Sequence, residues 1–209
     1  MDEDALAAEI EFCIESGVGG LVVPVMVSEF RVLSEEERRI MIRVPVEVSA
    51  GRVPVVANVA AVNTPLAIEY ARYAQTVGAD AVIAMPPYVK RRALSADLIV
   101  AYYRAIAEAS RLPVFIQNYG PPVGTDMPAA LLLRLCREIE HVMYIKEETT
   151  PSTIKLSALL AVNEGSVHGV FGGAGGRYLI EEYRRGVAGN MPGCHVTDVV
   201  VAHTPGATL

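Results

Sequence analysis

The residue with the most suggestive chemistry is Lys146, which follows the apolar run at residues 141–145 and precedes Glu147 and Glu148. The chain contains three lysines against fifteen arginines, so a lysine placed here stands apart from ordinary surface charge. Burial disfavours the charged form of a lysine, and a neutral amine can attack a ketone carbon. The pattern is therefore typical of a lysine that forms an imine with a 2-oxo acid.

The same residues allow a second interpretation. A lysine at the end of a buried strand can be neutralised by Glu147 or Glu148 in a structural ion pair. The local pattern does not choose between these two hypotheses.

The elements that position Lys146 can be read from seven short apolar runs that alternate with helical stretches. Such near-continuous runs of apolar residues indicate strands of a parallel sheet that helices cover. The predicted strands span residues 20–25, 53–59, 81–85, 113–118, 142–148, 168–172 and 187–191. The predicted helices span residues 3–16, 34–44, 64–77, 95–110, 127–139, 152–163 and 176–185, and Pro45 is expected to end the second of them.

This alternation predicts an α/β protein of the (β/α)8 TIM barrel type. No proline- or serine-rich linker divides the chain, and no GxGxxG follows the first strand, so a barrel is favoured over a doubly wound sheet. A closed barrel needs eight strands, however, and only seven are predicted. We therefore expect residues 1–209 to form a single barrel domain that is truncated at both ends and lacks the first strand and the C-terminal helices.

Active residues of such barrels lie where the strands end. Side chains alternate along a strand, so Glu148 should share the inner face with Lys146 while Glu147 points to the helix layer. We predict Lys146 and Glu148 as the catalytic pair. The predicted substrate-binding residues lie at the ends of other strands, and they are Ser28, Gln117, Asn118, Gly172 and Gly173. The two glycines belong to a loop that could hold an anion on its backbone N–H groups or serve only as a tight turn.

Composition limits the possible partners. A net charge of -6, a pI near 5.3 and no concentrated basic block argue against a nucleic-acid partner. No segment is long and apolar enough for a membrane span, and the acidic N-terminus is unlike a secretory signal, so a cytoplasmic location is expected. The histidines show no HxH or HExxH spacing, and no metal site is predicted.

Several segments together resemble the dihydrodipicolinate synthase / N-acetylneuraminate lyase family of class I aldolases. The resemblance extends over nearly the whole chain, and its most specific parts are residues 17–38, 51–59, 78–88, 112–118 and 145–147. It implies a (β/α)8 barrel with a helical extension, assembled as a homo-oligomer, a dimer or tetramer. It also implies that Lys146 forms a Schiff base with pyruvate or another 2-oxo acid, so that no separate cofactor is needed.

Departures from the family pattern narrow the expected reaction. Gln117 stands where the family has the tyrosine that carries protons, and Val89 stands at the second tyrosine of that relay. The threonine and serine hydroxyls that bind the pyruvate carboxylate are reduced to Ser28, and the synthase arginine aligns with Pro122. Dihydrodipicolinate synthesis and ordinary sialate cleavage are therefore not expected.

The Lys-Glu-Glu pattern at residues 146–148 instead resembles the sugar-acid dehydratase branch of the family. The first hypothesis is a Schiff-base lyase that dehydrates a 2-keto-3-deoxy sugar acid, with Glu148 as acid and base. Retro-aldol cleavage of such an acid to pyruvate and an aldehyde is an alternative. A catalytically inactive, truncated barrel that acts as a binding or interaction protein is another, and so is a metal-assisted lyase that uses both glutamates and a histidine.

Overall fold

The computed structural model describes residues 1–87, 94–163 and 165–193 of the 209-residue chain. Within them, helices and strands alternate as the sequence predicts. The strands are β1 (Leu21–Val23), β2 (Val55–Asn58), β3 (Ala81–Ala84), β4 (Val114–Asn118), β5 (Val142–Glu147), β6 (Gly169–Gly172) and β7 (Gly189–Asn190). The helices are α1 (Glu3–Glu15), α2 (Glu35–Ser49), α3 (Thr64–Val77), α4 (Ala96–Ser110), α5 (Ala129–Glu138), α6 (Ser152–Ala161) and α7 (Leu179–Tyr183), with short 3₁₀ turns at Met26–Ser28 and Ala174–Gly176.

The seven strands form one parallel sheet in the order in which they occur in the chain. Each strand pairs with the next, and across the centre Gln117 lies beside Lys146, which in turn lies beside Phe171. This confirms the predicted parallel (β/α) barrel architecture with seven strands. In the part of the chain that the structure describes, β1 and β7 pair on one side only and not with each other.

The sheet buries both of its faces, and alternate residues of each strand divide between them. Outward residues such as Ala57, Ile116 and Ile145 join the large core between sheet and helices. Inward residues form a smaller cluster in which the rings of Phe115 and Tyr144 stack with centroids 4.4 Å apart. The register of β4 and β5 shifts between Val114 and Phe115, and beyond that shift both strands alternate with a period of two. The direction of the side chains at the carboxyl ends of β4 and β5 therefore follows from the core packing just below them.

Local signals start and stop the helices that carry this sheet. The side chain of Ser34 caps α2 by accepting a hydrogen bond from the backbone N–H of Glu37, while the carboxylate of Glu37 accepts one from the backbone N–H of Ser34. Asn63 caps α3 through its side-chain oxygen, and that helix ends at Gly78, whose φ of +89° is a conformation that glycine adopts without strain.

Two predicted helix ends are wrong. Pro45 does not end α2, which continues to Ser49 and stops at Ala50 in a left-handed conformation. Proline removes one hydrogen bond of the helix, but Pro45 is buried on the same side as Ile42 and Ser49, so the packed face keeps the helix intact. The seventh helix begins at Leu179 rather than at residue 176, because positive φ angles at Gly175 and Gly176 interrupt the chain before it.

We expect the inward aromatic layer to contribute strongly to the stability of the barrel. Phe115→Ala, which removes a fully buried ring, should lower the free energy of unfolding by about 3–5 kcal/mol. Phe12→Ala is the matched control, since its ring is 46% exposed on α1. Urea denaturation followed by circular dichroism measures both, and equal losses in the two variants would contradict this account of the core.

Candidate active site

Lys146 lies near the carboxyl end of β5 with its side chain turned into the barrel. The residue is 2% exposed, and its Nζ lies 3.2 Å from Oε2 of Glu148, which is 7% exposed. The predicted inward pairing of Lys146 with Glu148 is therefore confirmed.

Besides the ion pair with Lys146, two hydrogen bonds hold the carboxylate of Glu148 in place. Oε2 accepts a hydrogen bond of 2.6 Å from Nε2 of Gln117, and Oε1 accepts one of 3.1 Å from the backbone N–H of Ala174. The backbone N–H of Glu148 itself donates to the carbonyl of Asn118 at 2.9 Å. The carboxylate is thus held from β4, from β5 and from the loop after β6, and it has little freedom to leave Lys146.

Gly173 is a glycine because the carboxylate of Glu148 occupies the place of its side chain. A Cβ at position 173 would clash with Oε1, Cγ and Cδ of Glu148. The predicted anion-holding loop therefore does receive a carboxylate on a backbone N–H, that of Ala174, but the carboxylate belongs to the protein. A direct role of Gly172 and Gly173 in binding substrate stays a prediction.

Glu147 points to the opposite side of β5, as predicted. Its carboxylate accepts hydrogen bonds from Nδ2 of Asn118 at 2.7 Å and from the backbone N–H and hydroxyl of Thr149. Burial raises the pKa of Glu147, and the bonds from Thr149 and Asn118 oppose that rise. Glu147 therefore stabilises the end of β5 from behind and does not reach the inner face.

Asn118, which was predicted to bind substrate, points away from the barrel interior. Its side chain is fully buried in the helix layer, where Nδ2 donates to Glu147 and to the carbonyl of Met127, and Oδ1 accepts from the N–H of Met127. Alternation after the inward Gln117 turns Asn118 outward. It holds the segment before α5 in place.

Gln117 is the inward residue of β4, beside Lys146 in the register. It is fully buried, its Nε2 donates to Glu148, and its Oε1 has no hydrogen-bond partner among the described residues. A buried acceptor without a donor is costly. A ligand hydroxyl beside Lys146 would satisfy it.

Ser28 lies outside this cluster. It belongs to the 3₁₀ turn after β1, and its Oγ accepts a hydrogen bond from the N–H of Val25 at 3.4 Å. In the described residues no hydrogen bond links Ser28 to Lys146 or Glu148. Next to it, the side chain of Val27 lies against Gly193, so the loops after β1 and β7 meet at the carboxyl end of the sheet.

A third buried carboxylate, that of Glu182 on α7, was missed by the reasoning from sequence. It accepts hydrogen bonds of 2.6 Å from Oγ of Ser152 and from Nδ2 of Asn190, and its Oε2 occupies the space that a Cβ of Gly172 would need. Burial raises the pKa of Glu182, and the negative charge of Glu148 adds to that rise. The signal in the sequence was the pair of consecutive glycines at the end of β6. Each glycine leaves room for a side chain of another element on the face to which it points.

Further features lie away from the cluster or outside the described residues. Val89, predicted to replace a tyrosine, falls at a position the structure does not describe. Across residues 1–87, 94–163 and 165–193, no three His, Cys, Asp or Glu side chains are grouped so that they could hold a metal ion. None of the helices in these ranges has the length and apolar character needed to cross a membrane.

Fold and site together define a (β/α) barrel protein with a buried lysine–carboxylate pair at the carboxyl end of its sheet. The chain matches the family model described as "Dihydrodipicolinate synthetase family" over residues 1–189, and it belongs to that family.

Two curated relatives and one solved structure illustrate the range of its similarities. The chain is 39% identical over 150 residues to a 4-hydroxy-tetrahydrodipicolinate synthase of Phenylobacterium zucineum (strain HLK1), covering 72% of this chain and 50% of that protein. It is 32% identical over 186 residues to an L-2-keto-3-deoxyarabonate dehydratase of Azospirillum brasilense, covering 88% of this chain and 60% of the relative. The chain thus spans 50–60% of the length of these relatives.

The solved structure is a prophage protein of the dihydrodipicolinic acid synthase family from E. coli K12 in complex with pyruvate. It superposes with a TM-score of 0.85 at 27% sequence identity, over 92% of this chain and 64% of that one. The similarity of fold thus extends across almost the whole chain.

The close approach of Gly173 to Glu148 gives a test of the site that does not depend on any activity. Gly173→Ala should force the carboxylate or the loop to move and lower the free energy of unfolding by about 1–3 kcal/mol. Gly120→Ala is the matched control, because a Cβ there meets nothing within 4 Å and should change stability by less than about 0.5 kcal/mol. Chemical denaturation compares the two, and an unchanged stability of Gly173→Ala would show that Glu148 does not fill the space beside Gly173.

Proposed function

We propose that this chain carries the centre of a Schiff-base-forming lyase that acts on a 2-oxo acid, and that its reaction is the dehydration of a 2-keto-3-deoxy sugar acid. The observation that carries the proposal is the buried pair of Lys146 and Glu148, with Gln117 as the third member. The dehydratase relative and the pyruvate-bound structure support this choice of substrate class.

The first step is the attack of the Lys146 amine on the C2 carbonyl of the substrate. Loss of water gives a protonated imine, whose positive charge withdraws electrons from C3. Glu148 lies 3.2 Å from Nζ, and its negative charge stabilises this cation at the position that the ammonium held before.

The second step needs one acid–base group near C3 and C4. Glu148 takes the C3 proton, and the electron pair of the C3–H bond moves to the imine to give an enamine. The electrons then return, the C4–O bond breaks, and the proton on Glu148 leaves with the hydroxyl as water. Hydrolysis of the resulting unsaturated imine releases the product and restores Lys146.

Gln117 holds groups in place in this scheme and does not carry protons, unlike the tyrosine of the family pattern. Its amide does not titrate, so it takes no part in proton transfer, and that task falls to Glu148. With Nε2 bound to Glu148, its unpartnered Oε1 is placed to accept a hydrogen bond from a substrate hydroxyl. Ser28, in the 3₁₀ turn after β1, stays the predicted contact of the substrate carboxylate.

Retro-aldol cleavage is a second candidate that the same geometry favours. Glu148 is the inward carboxylate beside Lys146, and it could remove the C4 hydroxyl proton instead of the C3 proton. The C3–C4 bond would then break to give an aldehyde and the enamine of pyruvate. Product analysis separates the two reactions, because only cleavage releases pyruvate.

Reduction of the imine tests the role of Lys146. Incubation with pyruvate and borohydride should add the reduced pyruvyl group to the peptide that contains Lys146, as detected by mass spectrometry. The adduct should vanish in Lys146→Arg and persist in Lys155→Arg, a matched change at a partly buried lysine that pairs with Asp126. No adduct with pyruvate or with any of a panel of 2-oxo sugar acids would rule out the proposed function and favour a binding protein.

Replacement of Glu148 tests the second step separately from the first. Glu148→Gln should still form the borohydride-reducible adduct, while turnover of a 2-keto-3-deoxy sugar acid should fall by about 10²–10⁴-fold. Glu140→Gln, a change at a carboxylate that is 90% exposed, should leave turnover unaltered. Full turnover in Glu148→Gln would assign the acid–base role to another group.

A further inference from the structure

The loop after β1 (residues 24–34) contacts two other loops at the carboxyl end of the sheet. On one side, the side chain of Val27 lies against Gly193 in the loop after β7. On the other side, Nη2 of Arg31 donates a hydrogen bond of 2.6 Å to the backbone carbonyl of Val123, in the loop after β4 (residues 119–128). Because β2 and β3 lie between β1 and β4 in the sheet, Arg31 joins two loops whose strands are not neighbours.

These two contacts complete a ring of contacts around the site. The rest of the ring consists of hydrogen bonds with backbone N–H donors, which connect β4, β5, the loop after β6 and β7 in turn. They run from Glu148 to Asn118, from Ala174 to the carboxylate of Glu148, and from Met191 to Gly172. Lys146 points inward from β5, so its amine lies inside this ring.

Arg31 supplies the contact on which the loop after β1 most depends. Its guanidinium lies 5.8 Å from the centroid of the buried Phe30 ring, which orients it, and a charged donor makes a stronger hydrogen bond than a neutral one. Val27, by contrast, is 60% exposed, so its contact with Gly193 removes little apolar surface from water. Glu29 between them has a φ of +50°, a left-handed conformation that costs energy for a residue with a side chain. Loss of Arg31 therefore favours opening of the loop.

Ser28, the predicted contact of the substrate carboxylate, lies between the two contacts of this loop. It follows Val27 directly and precedes Arg31 by three residues. Its position relative to Lys146 is therefore set from both sides of the loop. The loop after β4 depends on the same hydrogen bond, and it begins two residues beyond Gln117.

We propose that Arg31 is a positioning residue for the site: by joining the loops after β1 and β4, it keeps the ring closed and holds Ser28 where the carboxylate of a 2-oxo acid binds. The consequence for substrate rests on the proposed function, whereas the closure of the ring does not. Loss of Arg31 raises the fraction of molecules in which the two loops lie apart. A ligand binds tightly only to the remaining fraction, so its apparent affinity falls.

Amide hydrogen exchange followed by mass spectrometry tests the closure of the ring without any ligand. In Arg31→Ala, peptides from residues 24–34 and from residues 119–128 should both exchange about tenfold faster, because a hydrogen bond from a charged donor no longer opposes their opening. Peptides from residues 142–148 should keep their rate. Arg31→Lys retains a charged donor and should show a smaller increase in the same two loops, which keeps the test available if Arg31→Ala does not fold.

Arg104→Ala is the matched control for these exchange rates. Arg104 also donates to a backbone carbonyl distant in sequence, that of Glu138 at 3.5 Å, but at the end of α5, before β5 begins. Both loops should exchange in Arg104→Ala as in the unaltered chain. Unchanged exchange of residues 119–128 in the folded Arg31 variants overturns the proposal, and so does faster exchange that is confined to residues 24–34.

The effect on substrate is measured by trapping pyruvate on Lys146 with borohydride over a range of pyruvate concentrations. The concentration that gives half of the maximal adduct should rise about tenfold in Arg31→Ala and less in Arg31→Lys. The maximal adduct should stay the same, because Arg31 takes no part in the chemistry at the amine.

Two outcomes of the trapping experiment overturn the role of Arg31 in binding. One is an unmoved half-maximal concentration in a variant whose loops exchange faster, and the other is a lower maximal adduct at an unmoved half-maximal concentration. Failure to trap pyruvate in the unaltered chain would overturn the proposed function instead. The exchange rates of the two loops would still decide whether Arg31 closes the ring.

Discussion

The site depends on the alternation of side chains along β5. Lys146 and Glu148 face the barrel interior, and Glu147 between them faces the helices. Two carboxylates that adjoin in sequence therefore occupy separate environments, one beside an ammonium group and one among neutral hydrogen-bond donors. A shift of register by one residue would turn Lys146 and Glu148 toward the helices and Glu147 into the barrel interior. The aromatic layer beneath, where Tyr144 stacks on Phe115, holds the register.

The two glycines at the end of β6 also place carboxylates on opposite faces of the sheet. Each provides space for a carboxylate, Gly172 on the outer face and Gly173 on the inner face. A residue with a side chain at either position would have to displace a buried charged group. β6 contributes no functional side chain of its own, but its glycines determine where the carboxylates of Glu148 and Glu182 can lie.

The architecture and the central pair could be predicted from the sequence because both follow from periodicity. Continuous apolar runs indicated a covered parallel sheet, and the period of two assigned Lys146 and Glu148 to one face. The outward direction of Asn118 follows from the same period applied to β4, where Gln117 is the inward residue. Glu182 could not be found from sequence spacing, since α7 meets the end of β6 only in three dimensions. The helix limits also depend on more than local signals. Packing of its buried face carries α2 past Pro45, and positive φ angles at glycines delay the start of α7.

Within the residues that the structure describes, the order of the strands has a consequence for the motions of the site. Strands at the margin of a sheet open and close more readily than those within it, and their amide protons exchange sooner with solvent. Gln117, Lys146 and the two glycines lie on β4, β5 and at the end of β6, and each of these strands is paired on both sides. Opening at the margins of the described sheet therefore leaves the hydrogen bonds around Lys146 in place.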